Sequence, residues 1–388
     1  MLTTLLLISV VHILLCFTMQ DVQYSMWFSL ARYEARLFSE FQSELAAAKI
    51  AVSEQLRRQR HQPSSRVHAR NESLCAAIVT TPREFPFVTV LVGSLLRGTP
   101  DRDDLHVIIV TADRAHAEAE ELAQLDGFEL QRCTLDSDLA ALDNDSLPLK
   151  LTSWVKKQTQ VVNCAMAACG AHARRVGAPF FVILEDDGIL ADSFVTRVRH
   201  GLAALPQHQD WFYVKLFASD FFSGWEEDDV PLIVAPPLAI WCIALSLFRR
   251  NPSKAARLFA IAAGASIACL GLAGVGKQNL FRWRTGLNPI QQHFSMCANV
   301  FNTDAAERFL AFADEKMRAD DGSLNSDILL NRFLGQNANL SAYNLVPNLY
   351  QHVGFSSSCA SQSCRNEGKA RGVDAARMKQ SSTFVRHL

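Results

Sequence analysis

The feature that most constrains this chain is the segment Phe180–Gly188, where five apolar residues give way to three consecutive acids and a glycine. The apolar run, two of whose members are β-branched, predicts a buried strand of a mainly parallel sheet. Three carboxylates at the end of a buried strand repel one another and resist desolvation, whereas a divalent cation would balance their charge. Glu185, Asp186 and Asp187 are therefore candidates for a metal site at the carboxyl end of the sheet, where ligands of open α/β sheets bind.

The flanking sequence decides whether these acids form a site, because so short a pattern taken alone is more often a solvated acidic turn. Strands and helices alternate on both sides of it, which predicts an α/β fold with a parallel sheet covered by helices. The predicted strands are Cys75–Thr81, His106–Asp113, Phe128–Gln131, Phe180–Leu184, Trp211–Phe217 and Cys297–Asn302. The predicted helices are Phe87–Leu96, Ala115–Leu125, Trp154–Arg175, one following Asn302, and Ser326–Leu334 with Ser326 as its N-cap.

The 388 residues carry a formal net charge of −1, so no global basic field indicates nucleic acid as a partner. The sequence also lacks a Walker A or Gly-x-Gly-x-x-Gly motif, which disfavours a P-loop or a Rossmann cofactor site.

The ten cysteines indicate an oxidising compartment. Cys16, Cys242 and Cys269 lie in apolar stretches and are interpreted as fillers. The remaining seven are Cys75, Cys133, Cys164, Cys169, Cys297, Cys359 and Cys364. They form no CxxC…CxxC zinc pattern, so disulfides are expected, with Cys359 and Cys364 as the first candidate pair. Sequons at Asn71, Asn144 and Asn339 agree with a lumenal chain.

Three apolar runs are long enough to cross a bilayer. Leu2–Met19 predicts an uncleaved signal anchor, with a cleaved signal peptide as the alternative. Val230–Phe248 and Leu258–Gly276 predict a transmembrane hairpin, with buried core helices as the alternative. The basic loop Arg249–Arg257 between them is expected in the cytosol by the positive-inside bias, which puts the acidic strand end in the lumen.

Between the anchor and the first strand, Trp27–Arg60 has a helical pattern that predicts a stem helix, packed on another element or paired with a second copy in a homodimer. The chain is therefore expected to have five parts: an anchor (1–20), a stem helix and linker (21–70), a first half of the α/β domain (71–229), the hairpin (230–276), and a second half with a tail (277–388).

Polar side chains follow three predicted neighbouring strands and would meet at one sheet edge. Thr80, Thr81 and Arg83 follow the first, Asp113 the second, and the three acids the fourth along the chain. Such an edge can bind a nucleotide, with hydroxyls and Asp113 on the base or ribose and a metal on the diphosphate. Lys157 could face the same edge from the start of its helix, although a solvated helix face is the simpler interpretation.

The strand followed by Glu-Asp-Asp resembles the metal-binding "DxD" pattern of GT-A glycosyltransferases. The anchor, the interrupted α/β domain and the inserted hairpin together resemble the Golgi post-GPI-attachment GalNAc transferases. Three segments are also similar to the N-glycan GlcNAc-transferase-IV group: Asp210–Phe217, Asp327–Leu330 and Pro347–Gly354. The resemblance implies a multi-pass Golgi membrane protein with a lumenal GT-A-like domain, which transfers GalNAc from UDP-GalNAc to the GPI-anchor glycan with Mn²⁺ or Mg²⁺ as cofactor.

The resemblance also implies roles for residues. Asp187 and His352 would bind the metal, and Asp327 would be the base that takes the proton of the acceptor hydroxyl in an inverting transfer. Asp320 and Asp321 compete for that role. The residues implied for donor binding are Thr80, Thr81, Arg83, Asp113, Lys157, Glu185 and Asp186.

Two other functions stay open. One is a GlcNAc transferase acting on N-glycans, which the hairpin disfavours because a soluble glycan needs no membrane tether. The other is a non-catalytic, membrane-integrated module that binds a nucleotide sugar.

Overall fold

The structure is a computed structural model. It describes eleven segments: residues 30–61, 74–98, 104–135, 151–206, 210–218, 238–243, 245–246, 252–275, 285–290, 296–319 and 324–353. The chain divides into two compact units. Among the described residues, those from 37 to 218 and from 285 to 353 belong to the larger unit, which contains the sheet, whereas those from 30 to 36 and from 238 to 275 belong to the smaller unit.

The strands and helices agree closely with the sequence pattern in the first half of the larger unit. The strands are β1 (Leu74–Val79), β2 (Leu105–Thr111), β3 (Phe128–Arg132), β4 (Phe180–Glu185), β5 (Gly188–Leu190), β6 (Trp211–Lys215), β7 (Gly286–Pro289), β8 (Ala298–Asn302), β9 (Ser341–Val346) and β10 (Tyr350–His352). The helices are α1 (Leu30–His61), α2 (Phe87–Gly98), α3 (Ala117–Leu122), α4 (Leu151–Val176), α5 (Phe194–Ala203), α6 (Pro252–Val275), α7 (Thr303–Ala319) and α8 (Ser326–Gln336).

The main sheet has eight strands in the order β3-β2-β1-β4-β8-β6-β9-β7 and is mixed, not mainly parallel as the sequence predicts. Strands β3, β2, β1 and β4 are parallel neighbours, but β8 lies antiparallel between β4 and β6. A buried apolar strand has the same hydrophobic pattern whether it runs parallel or antiparallel to its neighbours, so the sequence does not indicate the direction of β8. The pairing of β5 with β10, antiparallel in a second small sheet, was also not predicted.

The core lies on both faces of the sheet, as strand alternation requires. Val182 and Leu184 of β4 pack on one face, in the cluster that includes residues of α2 and α5. Phe181 and Ile183 of the same strand pack on the other face with residues of α4, α7 and α8. Both faces of β4 are therefore apolar, and its polar groups are confined to its carboxyl end.

The part of helix α1 in the larger unit packs on α2, so this stretch belongs to the α/β domain and not to a separate stem. The Phe41 ring lies 4.9 Å from the Phe87 ring, and Ala48 is fully buried. The backbone approach is so close that a Cβ added at Gly93 would stand 2.2 Å from the Ala48 Cβ. The predicted packing partner of the stem helix is therefore α2 of the same chain, while homodimer formation stays a prediction.

Helix α6 contains most of the last predicted span, and in the same unit the Trp241 indole N–H donates to the Ser266 hydroxyl at 3.2 Å. Within the segments that the structure describes, no helix combines the length and apolar character needed to cross a membrane. Leu2–Met19 and most of Val230–Phe248 lie outside those segments. At both ends of α6 the structure describes the backbone but not the side chains. The anchor and the hairpin thus receive no support here and stay predictions from the sequence.

Two disulfides confirm the expectation of cross-links, with pairs that the sequence did not assign. Cys75 of β1 bonds Cys169 of α4, and Cys133, just after β3, bonds Cys164 of α4. Cys242, Cys269 and Cys297 carry thiols. The predicted pair of Cys359 and Cys364 lies outside the described residues. Helix α4 is therefore bonded to the β1 and β3 side of the sheet.

Candidate functional site

The three acids lie where the sequence predicts: Glu185 is the last residue of β4, and Asp186 and Asp187 form the turn to β5. Asp186 and Asp187 are only 1% and 4% exposed, so their carboxyl groups lie in the interior and not in a solvated turn. Position 188 has no room for a side chain because Tyr350 packs against Gly188: a Cβ there would stand 2.0 Å from the tyrosine ring. The Tyr350 hydroxyl in turn donates to the Glu185 backbone oxygen at 3.2 Å, which fixes the turn.

Arg83 is the positive partner of this turn. Its guanidinium lies 2.8 Å from Asp186 Oδ1 and 2.8 Å from Asp187 Oδ2, and it stands over the Phe87 ring at 5.4 Å. A planar guanidinium with several donors suits two carboxylates held side by side. Arg83 therefore lies in the site, as the sequence analysis proposes.

Thr80 reaches Asp186 from the end of β1. Its hydroxyl donates to Asp186 Oδ2 at 2.7 Å, and its oxygen lies 3.1 Å from Nε2 of His116. His116, which precedes α3, is a site neighbour that the sequence analysis missed, because a single histidine before a helix carries no pattern of its own.

Asp113 forms the centre of a second set of contacts at the same sheet edge. It accepts hydrogen bonds from Thr81 Oγ1 at 3.0 Å and Thr111 Oγ1 at 3.2 Å, and it pairs with Lys157 Nζ at 2.8 Å. Lys157 thus faces the edge, and the simpler interpretation of a solvated helix face is wrong for this residue. We call this side of the site the β1–β2 flank; it comprises Thr80, Thr81, Arg83, Asp113, His116 and Lys157.

His352 reaches the acids through β10. Antiparallel pairing places His352 opposite Gly188, with its Nε2 3.2 Å from Asp187 Oδ1. The Val353 backbone N–H donates to the Asp187 carbonyl at 2.8 Å and extends the same pairing. The structure therefore brings together Asp187 and His352, the two residues expected to bind a metal, from positions 165 apart in the sequence.

Asp327 lies in the first turn of α8, and its charge acts on Glu185. The N-cap of that helix is Asn325, whose side chain accepts from the Ile328 N–H at 2.8 Å, so the prediction of Ser326 as N-cap is wrong. The amide of Asn325 reaches the helix backbone, and Asp327 is not needed as the cap. Asp320 and Asp321, its competitors, lie outside the described residues.

Lys215, at the end of β6, is a second residue that the sequence analysis did not single out. It is 5% exposed, and burial lowers its pKa to about 8 although the nearby charge of Asp327 opposes the shift. Cys297 precedes β8 and also acts on Lys215 electrostatically. We call Lys215, Cys297 and Asp327 the β6–α8 flank. An Asp followed by apolar residues marks α8, but nothing in the run Trp211–Phe217 marks its lysine as part of a site.

Burial dominates the electrostatics of the acids. It raises the pKa of both Glu185 and Asp186, the Asp187 charge raises both further, and Arg83 opposes the rise. Three carboxylates thus face one guanidinium in a dry environment, and a divalent cation would relieve the excess negative charge. The residues present fit such an ion.

Two ligand sets share His352. One is the predicted pair of Asp187 and His352. The other consists of Glu185, Cys297 and His352, whose ligand atoms all lie within 4.8 Å of one another. A thiolate is a soft ligand that favours zinc, whereas carboxylate oxygens with one imidazole suit Mn²⁺, and oxygens alone suit Mg²⁺. The pair of Asp187 and His352, which contains no thiolate, therefore favours Mn²⁺.

Comparison with known proteins gives no family. No family model matches the chain, and no curated protein matches it. Among solved structures, the galactosyltransferase LgtC in complex with donor and acceptor sugar analogues aligns at 10% identity and a TM-score of 0.36, covering 79% of this chain and all of LgtC. Mouse xyloside xylosyltransferase 1 aligns at 12% identity and the same TM-score of 0.36, covering 81% of this chain and 96% of that one. Similarity this low carries no weight for function, which has to be argued from the site itself.

Proposed function

We propose that this protein is a metal-dependent glycosyltransferase that uses a UDP-sugar donor. One observation carries the proposal: Asp186 and Asp187 are buried at a strand end beside His352, with Arg83 as their ion-pair partner. Such a cluster is costly to bury unless it binds a cation, and its place at a sheet edge lined with hydroxyl, carboxylate and lysine groups suits a nucleotide.

The β1–β2 flank suits the donor. Asp113 is held by Thr81 and Lys157 and can accept hydrogen bonds from ribose hydroxyls, while Arg83 adds positive charge where an anionic diphosphate would bind. Asp187 and His352 would hold Mn²⁺ or Mg²⁺. When bound, that ion would neutralise charge on the UDP leaving group.

The β6–α8 flank suits the acceptor. Asp327 lies near the acids and near Lys215, as its electrostatic effect on both Glu185 and Lys215 indicates. In the proposed reaction it takes the proton of the attacking sugar hydroxyl while the bond from the sugar to UDP breaks. A direct displacement needs one base and no covalent sugar intermediate, so Asp327 alone would suffice on this flank.

The finer proposal is transfer of GalNAc from UDP-GalNAc to the mannose core of a GPI anchor, at the Golgi membrane with the domain in the lumen. Its support is the sequence resemblance, together with two disulfides that suit an oxidising lumen. A membrane-tethered acceptor would also explain a domain with apolar insertions, because tethering lowers the orientational cost of meeting a lipid-linked glycan.

The test is sugar transfer by full-length, detergent-purified protein with a panel of UDP-sugars and two acceptors, a GPI-anchored reporter and a free N-glycan. Each reaction is run with Mn²⁺ or with EDTA, for wild type, Asp187→Ala and Asp126→Ala. Asp126 is an exposed acid outside the site and serves as the matched control. We expect transfer that needs Mn²⁺, is lost in Asp187→Ala and is kept in Asp126→Ala.

Each other outcome selects an alternative. Transfer to the free N-glycan from UDP-GlcNAc would favour the GlcNAc transferase. UDP binding without transfer from any donor would favour the non-catalytic module. Transfer that is insensitive to EDTA and to Asp187→Ala would contradict the metal site.

A further inference from the structure

We propose that His116 is a positioning residue that orients the Asp186 carboxylate through the hydroxyl of Thr80. This inference rests on the proposed function, because it assigns a purpose to His116 only if Asp186 belongs to a cation and donor site. The chain of contacts runs from the ring of His116 to the Thr80 hydroxyl and then to Asp186 Oδ2.

The direction of each hydrogen bond follows from the atoms involved. The Ala119 backbone N–H donates to Nδ1 of His116 at 3.5 Å, so Nδ1 carries no proton and the proton of the neutral ring is on Nε2. Burial lowers the pKa of His116, in agreement with a neutral ring. Nε2–H therefore donates to Thr80 Oγ1, which has one proton of its own and donates it to Asp186.

The three side chains are held in place, and none exceeds 4% exposure. The Thr80 backbone N–H also donates to the Val110 carbonyl at 2.9 Å, which fixes the threonine at the end of β1. Buried hydrogen bonds in series polarise one another, and water cannot replace a lost member. With Arg83 on one carboxylate oxygen and Thr80 on the other, Asp186 has a single orientation.

Two substitutions separate this purpose from simple helix capping. His116→Gln keeps an N–H near the place of Nε2 but is a poor N-cap, whereas His116→Ser is a good N-cap that cannot reach Thr80. We expect His116→Gln to keep Mn²⁺ affinity within about threefold, and His116→Ser to lose about tenfold or more, the usual effect of removing a partner of a ligand shell. Melting temperatures should rank in the opposite order.

A second pair tests the middle of the chain. Thr80→Ser keeps the hydroxyl and should keep Mn²⁺ affinity, while Thr80→Val removes it and should weaken affinity about tenfold or more. Because His116 acts through Thr80, the double variant Thr80→Val/His116→Ser should bind Mn²⁺ no more weakly than Thr80→Val alone. Affinity is measured on the full-length protein from free Mn²⁺ by electron paramagnetic resonance.

Two results would overturn the inference: Mn²⁺ affinity that follows melting temperature in the His116 variants, or fully additive losses in the double variant. If the wild type binds no Mn²⁺, the proposed function fails, and NMR of ¹⁵N-histidine-labelled protein then decides the relay. His116 should show a proton on Nε2, and Asp186→Asn should shift that resonance; an unchanged resonance would refute the relay.

A second observation concerns Asn339: we infer that it carries an N-linked glycan, an inference that rests on the proposed lumenal location. The sequon Asn339-Leu340-Ser341 lies in the turn between α8 and β9, where Asn339 is exposed and Leu340 is buried. Ser341 pairs with Trp211 at the start of parallel strands β6 and β9, whereas Lys215 lies at the far end of β6. A glycan on Asn339 would therefore stand at the sheet edge opposite the candidate site.

The modification forms a bond from the Asn339 amide nitrogen to the anomeric carbon of a lipid-diphosphate-linked oligosaccharide. The bond from that carbon to the diphosphate oxygen breaks, and the lipid diphosphate and one amide proton are released. It is tested in the Asn71→Gln/Asn144→Gln background, so that one sequon remains. N-glycosidase should shift the gel mobility of this protein and convert Asn339 to Asp by mass spectrometry. Ser341→Ala should abolish the shift and Ser341→Thr should keep it; a mobility that N-glycosidase leaves unchanged refutes the inference.

Discussion

The two flanks of the acidic strand end are built differently. On the β1–β2 flank, Thr80, Arg83 and Lys157 each make a direct contact of 2.7–2.8 Å with a carboxylate. On the β6–α8 flank, Lys215 is buried and Asp327 is half-buried, and burial lowers the pKa of the lysine. The first flank resembles a preformed binding surface, whereas the second combines a carboxylate with a lysine whose pKa is about 8, which suits proton exchange.

The largest expected effect separates the flanks by kinetics. Asp327→Asn should lower kcat by roughly 10²–10⁴-fold, the usual contribution of a general base, and leave UDP and Mn²⁺ affinity unchanged. Turnover and binding are measured on the same preparation. A variant that loses UDP affinity in proportion to turnover would show that Asp327 belongs to the binding surface and that the two flanks do not divide the work.

The next effect concerns stability. Both disulfides join α4 to the β1 and β3 side of the sheet, which carries the first flank, so replacing the pair Cys75 and Cys169 by alanine should lower the free energy of unfolding by roughly 2–5 kcal/mol. Melting temperature is compared with Cys242→Ala, which removes an exposed thiol of the smaller unit. Equal melting temperatures in the two variants would mean that this flank keeps its rigidity without the cross-link.

A smaller effect is expected for the donor side. Asp113→Asn removes the charge that Lys157 pairs with and should weaken UDP affinity roughly tenfold, within the range for hydrogen bonds to charged groups, with kcat nearly unchanged. Fluorescence titration with UDP measures the affinity. A fall in kcat at saturating donor would place Asp113 in the chemical step and blur the distinction between the flanks.

The smallest effect is a pH dependence of stability. The pKa of Lys215 is about 8 in the folded protein and near its ordinary 10.5 when unfolded. Between these values the unfolded chain binds the extra proton, so unfolding free energy rises with pH, by on the order of 1 kcal/mol per pH unit. Lys215→Met should lack this rise between pH 8 and pH 10, whereas Lys316→Met, on the surface, should keep it. Parallel curves for wild type and Lys215→Met would contradict a buried, neutralised lysine.

The sequence predicts the β1–β2 flank better than the β6–α8 flank, for a physical reason. Thr80, Asp113 and the three acids follow apolar strands, and strand ends of a parallel sheet meet at one edge. Lys215 lies inside an apolar run, and its neighbourhood depends on β8 entering the sheet antiparallel. No local pattern encodes that direction. His352 was placed through a family resemblance, because the pairing of β10 with β5 has no signal in the sequence.

The pairing of β10 with β5 has a consequence for biosynthesis. Gly188 and His352 become neighbours only after more than 160 further residues have been made, since β10 is the last strand that the structure describes. The central strand β8 likewise arrives after residues 219–283. Contacts so distant along the chain form slowly, and a nascent chain holds its acids without their histidine while the 164 residues between Asp187 and His352 are made. A fragment that ends before Tyr350 would retain the β1–β2 flank and lack His352, the proposed metal ligand, so we expect it to have no transferase activity.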